Sequence, residues 1–245
     1  MAENDSLPAL GSNSSDYVAS AAKSALGAVP FVGSLLIEIA GTVIPNQRID
    51  RIAKFSEHLH KRLEKLDQAK IRAQLRDENF TDLMEEGLHQ AARAVSDERK
   101  QYIAALLSNS IASDDITFIE SKHILRLLGE INDLEVLWLR LYLDPTINGD
   151  KEFREKHKVI FEPKPAYMGA TQEQLDQSTL QKSYKEHLVQ LGLLRHRYRT
   201  DSKTKMLELE SGFGGGLKIA GYDLTPLGRL LLREIDLKEE HKTAS

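Results

Sequence analysis

The chain has no cysteine, which excludes thiol nucleophiles, disulfides and thiolate metal sites and fits a reducing cytosol. Aromatic residues are scarce, at 6% against 29% charged, and glycine and proline are few outside two short regions. That composition favours helices. The net charge of −4 and the pI near 6.1 are unlike a protein held on nucleic acid by its overall field, so any nucleic-acid site must be local. Long apolar runs are also missing, with one exception at residues 25–44, ALGAVPFVGSLLIEIAGTVI.

That run contains a single charge, Glu38. A bilayer-crossing helix needs about 20 apolar residues, whereas about 10 to 14 suit a core, interfacial or re-entrant helix. Pro30 removes a helical hydrogen bond and clashes with the preceding turn, so the usable helix starts near Phe31 and stops before Pro45. About 14 residues at about 1.5 Å each span roughly 21 Å. The run is thus too short for a simple single-pass anchor. Two readings stand: a core helix, or a conditional interfacial or hairpin-like element within residues 25–45. Phe31, Val32, Leu35, Leu36, Ile39 and Val43 form its apolar side and are the candidate membrane or partner contacts. Gly33, Ser34, Gly41 and Thr42 on the other side would admit a close neighbour. The run follows an acidic, polar start rather than a basic n-region, and no export signal is expected.

Residues 1–15 are rich in Ser, Asn and Gly and are expected to be a disordered tail, as are 238–245. A helical module is expected over 16–115. Within it, residues 47–67 place Ile49, Ile52, Ser56, Leu59, Leu63 and Leu66 at heptad spacing. Ile52, Leu59, Leu63 and Leu66 are therefore read as a self-association seam, and a homo-oligomer is expected. Further helices are expected from Asn79 or Thr81 and from Ser96, the latter carrying Tyr102, Ile103, Leu106, Leu107 and Ile111. Together these helices make a small bundle.

A second module is expected over 116–237. A long helical stretch from Ser121 to Tyr142 bends near Gly129 or Asn132, a polar segment at 146–170 follows, and another helix runs from Thr171 to Gly192. HRYRT at 196–200, KMLELE at 205–210 and LKIAGYDL at 217–224 alternate as strands, and Thr225 caps a last helix that opens with Pro226. Helix, hairpin and helix in this order outline an α+β winged-helix-like domain behind a mainly α N-terminal bundle.

Two phrases, LVQLGLLRHRYR and YDLTPLGRLLLREI, resemble many winged-helix regulators. Taken with YIAALLSNSI and HILRLLGEINDLEVLWL, they resemble the bacterial abortive-infection alpha (Abi-alpha) group over roughly residues 95–235. That group is associated with phage defence. The insert at 146–170 and the Gly-rich turn at 212–216 depart from the pattern. The resemblance carries no catalytic signature.

The residues offer little chemistry of their own. SGFGGG at 211–216 precedes a strand, not a helix N-terminus, so it reads as a hairpin tip rather than a phosphate cradle. His58 and His60 stand two apart on a helix and point to different faces, and no metal constellation is expected. No acid, base or nucleophile set converges, so neither catalysis nor a cofactor is expected. A local basic stretch does exist: Lys182, Lys185, Arg195, Arg197, Arg199, Lys203 and Lys205 are the candidate nucleic-acid contacts. Two functions are therefore in view. One is a non-enzymatic bacterial defence effector, cytoplasmic or peripheral to the inner membrane, that responds to a protein trigger or a membrane surface. The other is a soluble winged-helix DNA-binding regulator with a helical dimerisation domain.

Overall fold

The computed structural model describes residues 24, 27–29, 33–34, 36–38, 48–113, 115–146, 149–164, 169–204, 206–209 and 216–237. The expected tails at 1–15 and 238–245 lie outside these residues. The protein is mainly helical, with one small antiparallel sheet of two strands. It divides into two compact units after Leu125, ten residues later than the boundary read at 115.

In the N-terminal unit the apolar run is only partly described. Val29, Gly33 and Leu36 are buried. A Cβ placed on Gly27 would stand 3.2 Å from Ile37 Cδ1, so the chain doubles back and the missing side chain at Gly27 admits Ile37. The described residues are thus helical at 24 and 27, turn at 28–29 and are helical again at 33–34 and 36–38. No helix among the described residues is long and apolar enough to cross a membrane.

Four helices follow: α1 (Ile49–Leu63), α2 (Gln68–Gln74), α3 (Glu78–Arg93) and α4 (Asp97–Ala112). Each of the last three starts on a side chain that accepts a free backbone N–H: Asp67 from Ala69, Asp77 from Asn79 and Ser96 from Arg99. The α3 start is therefore at Asp77, two residues before Asn79, because the Asp77 carboxylate takes Asn79's own N–H at 2.8 Å. Likewise α1 stops at Leu63 rather than Asp67, since Asp67 is committed to capping α2.

Helix α4 is the centre of the unit, packed by α1, α2 and α3. It is buried nearly all round, from Ile103 through Ile111. Against it lie Ile52, Phe55, Leu59 and Leu63 of α1 and Phe80, Met84 and Leu88 of α3, all essentially without solvent exposure. Gly87 makes room for Leu107, which a Cβ there would meet at 2.7 Å. Helix α5 (Phe118–Glu130) begins in this unit, with Phe118 tilted on Phe80 at 5.3 Å, the Lys122–Asp82 ion pair, and Gln90 Nε2 donating to the Leu125 carbonyl.

The expected bend near Gly129 or Asn132 is a break. Asn132 closes a capping box with Glu135 and starts α6 (Asp133–Leu141). The polar insert then forms two short helices, α7 (Lys151–Lys156) and α8 (Lys158–Phe161). Phe161 meets Trp138 edge-on at 5.1 Å and Phe153 at 5.5 Å, while Arg140 lies 5.0 Å over Phe153, so the insert is packed onto α6 by rings.

Helix α9 (Gln172–Gln190) follows, then β1 (Leu194–Tyr198), β2 (Ile219–Leu224) and α10 (Pro226–Glu234). Helix α9 ends in a Schellman turn, with Leu193 N–H on the Leu188 carbonyl, Gly192 N–H on the Val189 carbonyl, and Gly192 at φ +71°. The strands pair from Leu194–Leu224 to Tyr198–Ile219, with a bulge between Arg197 and Tyr198.

Candidate functional site

The C-terminal unit is organised by a clasp between the two phrases LGLL and LTPLG. Thr225 Oγ1 is 2.7 Å from the Gly192 carbonyl and 3.0 Å from that of Leu193, and it accepts Gly228 N–H at 3.0 Å. Thr225 N–H also donates to the Leu193 carbonyl. One hydroxyl therefore ties the end of α9 to the start of α10. Gly228 stands against the Leu193 carbonyl so closely that a Cβ would collide with it.

A second tie joins α9 to both strands. Glu186 accepts from Tyr222 Oη at 2.8 Å and pairs with His196 Nε2 at 2.9 Å, and the His196 and Tyr222 rings lie 5.5 Å apart. Burial pushes the Glu186 carboxyl up, but the hydrogen bonds from Tyr222 and His196 outweigh it and hold the group below its ordinary range. Burial and the Glu186 carboxylate push the Tyr222 phenol up, and burial takes nearby Tyr142 up to about 12. Both phenols thus stay neutral. A neutral phenol donating to a carboxylate is a structural arrangement, with no nucleophile beside it.

The hairpin continues past β1 and β2. Arg199 N–H donates to the Lys218 carbonyl, Lys218 N–H to the Glu208 carbonyl, and Glu208 N–H to the Arg199 carbonyl, so three segments meet in a ring of backbone bonds. Thr200 pairs with Leu207 and Leu209 with Leu217. The Asp201 carboxylate accepts N–H groups of Lys203 and Thr204 and fixes the turn between the first two segments.

Side chains alternate across this extension. Arg199, Glu208 and Lys218 share one face, with Glu208 3.3 Å from Arg199 and 3.4 Å from Lys218. Arg195 and Arg197 lie on the same face of β1, at 4.0 and 3.3 Å from Asp223. Gly221, opposite Arg197, leaves space that the Arg197 guanidinium occupies. The other face carries Tyr198, Leu207, Leu209 and Leu217, with Leu207 50% and Leu209 64% exposed.

These positions sort the candidate residues. Lys182, Arg195, Arg197, Arg199 and Lys203 are exposed, but each of the three arginines has a carboxylate partner. Lys185 is turned inward, 4.2 Å over the Trp138 ring, and burial lowers its pKa. Lys205 lies outside the described residues, as do Phe31, Val32, Leu35, Ile39 and Val43. Leu36 is fully buried. Ile52, Leu59 and Leu63, read as a self-association seam, are buried within their own chain on the helix that packs against α3 and α4; Leu66, past the end of α1, is half-exposed. The physical reason is that a heptad seam serves a neighbouring helix of its own chain as well as one from another.

No family model, curated protein or solved structure matches this chain. Among the described residues no group of three or more His, Asp or Glu side chains could hold a metal ion. The surface feature that sequence reasoning missed is the exposed leucine face of the hairpin. Its signal was the alternation of KMLELE, which sets Leu207 and Leu209 on the side opposite Glu208.

Proposed function

We propose that this protein is a non-enzymatic interaction protein of bacterial phage defence, whose C-terminal unit is a winged helix that binds through its wing and not by reading DNA. The single observation that carries this reading is the two-faced hairpin: exposed leucines on one side, and arginines already paired with Asp223 and Glu208 on the other. Monomeric proteins rarely show contiguous apolar surface without a use for it. The defence setting comes from the resemblance of residues 95–235 to the Abi-alpha group alone, and the winged-helix reading draws on the order helix, two strands and helix.

The DNA-binding alternative draws on Arg195, Arg197 and Lys203, which are exposed along the hairpin. Against it, α9 in the recognition position opens with exposed Glu173 and Asp176, which would approach phosphate with the wrong charge. Fluorescence anisotropy with labelled random-sequence duplex DNA over a range of salt decides between them. The expected result is no binding that steepens at low salt. Salt-steep binding that is lost when Arg195, Arg197 and Lys203 are neutralised together would replace the interaction reading with the regulator.

A further inference from the structure

The wing's apolar face is continuous. Leu209 and Leu217 are directly opposed, so their side chains share a face; Leu207 is two residues from Leu209, and Thr200, opposite Leu207, is two residues from Tyr198. Their exposures, 40% for Tyr198, 50% for Leu207, 64% for Leu209 and 36% for Leu217, leave a substantial part of each open to solvent. None of the four side chains is an acid or base of the Asp, Glu, Lys, Arg or His kind, so pressing the leucines into an apolar medium strips water from no ion among them.

The charge behind the face has a sign. Described residues 194–224 carry Arg195, Arg197, Arg199, Lys203 and Lys218 against Asp201, Glu208 and Asp223. That is a local excess of two positive charges in a chain whose net charge is −4. The other face lies about 10 Å away at most, within roughly one screening length of a polar boundary at physiological salt.

We infer that the wing docks on an anionic phospholipid surface, inserting Leu207, Leu209 and Leu217 below the headgroups while the hairpin's net excess of two positive charges, exposed Lys203 included, draws it to the phosphates. Interfacial binding of this kind scales with buried apolar area plus attraction to anionic lipid. The inference deepens the interaction reading by naming what the wing meets.

Flotation of the full chain with vesicles tests it, using phosphatidylcholine alone and phosphatidylcholine mixed with phosphatidylserine. The protein is expected to float with the mixed vesicles and to be released at high salt. The double substitution Leu207→Asp and Leu209→Asp, at exposed positions that leave the thermal melt unchanged, is expected to abolish flotation. Neutralising Arg195, Arg197 and Arg199 to Gln is expected to weaken it about tenfold or more. Absence of flotation with mixed vesicles overturns the inference. So does flotation that the Asp pair leaves intact, which would move membrane contact to residues 25–45. A leucine-dependent partner other than lipid would show as phage restriction that needs Leu207 and Leu209 without vesicle binding; that result sinks the lipid surface and leaves the interaction reading standing.

Discussion

Replacing Gly228 by alanine is expected to destabilise the C-terminal unit by about 2–3 kcal/mol, the upper part of the range for overpacking. The added Cβ meets the Leu193 carbonyl, a backbone atom at the end of α9 that is also bonded to Thr225 and cannot swing aside. Relief requires α10 to shift, which breaks the Thr225 clasp. Alanine's better helix propensity returns only about 1 kcal/mol. In a unit of this size the melting temperature should fall by roughly 10 °C. Gly192→Ala is the control: φ is +71° but the space is open, with Leu227 Cδ2 3.9 Å away, so the cost is about 1 kcal/mol from backbone conformation alone. If the two substitutions cost the same, the clasp is not what aligns α9 with α10.

Leu59→Asp is expected to unfold the N-terminal unit. Leu59 has no solvent exposure on α1, where it packs towards α3 and α4. Truncation alone at such a site costs about 2–5 kcal/mol, and a carboxyl with no partner adds desolvation to that. Hydrogen exchange should become fast through α1, α3 and α4 together. Leu66→Asp, at a half-exposed position past the helix end, should change stability by less than about 1 kcal/mol. A seam between two copies would behave otherwise: Leu59→Asp would yield a smaller, still folded particle in light scattering. That outcome would mean α1 meets a second chain rather than α4.

Local signals were the most legible part of this sequence. Helices start at Ser96 and Thr171, where they were expected to start, Thr225 caps the last helix as expected, and Pro226 occupies the first turn of α10, because each of these features depends on residues within four positions. Partners across the chain were not legible. The spacing of Ile52, Leu59 and Leu63 fixes a helix face but not which helix covers it, and Phe55, buried on the same helix, fell outside the heptad reading. Helix α2 escaped notice because Ile71 is its single buried residue, too little for a periodic pattern. The Glu186, His196 and Tyr222 tie joins residues up to 36 positions apart, and only the fold brings them together.

The leucine face failed to stand out for a different reason. Alternating apolar residues ordinarily mark the buried side of a strand, and Leu207 and Leu209 obey the alternation. They remain exposed because the hairpin runs on beyond the part of β1 that packs on α9, where Leu194 is buried and His196 meets Glu186. Sequence pattern tells which side is apolar; the reach of the neighbouring helix decides whether that side is covered.

The measurement that tests the central claim most directly is phage plating on bacteria expressing the protein, the Leu207→Asp and Leu209→Asp double variant, or neither. The account predicts lowered plating with the unaltered protein and full plating with the variant, at equal protein levels and equal thermal stability. Equal protection by both, or no protection by the unaltered protein across a broad phage panel, would contradict it.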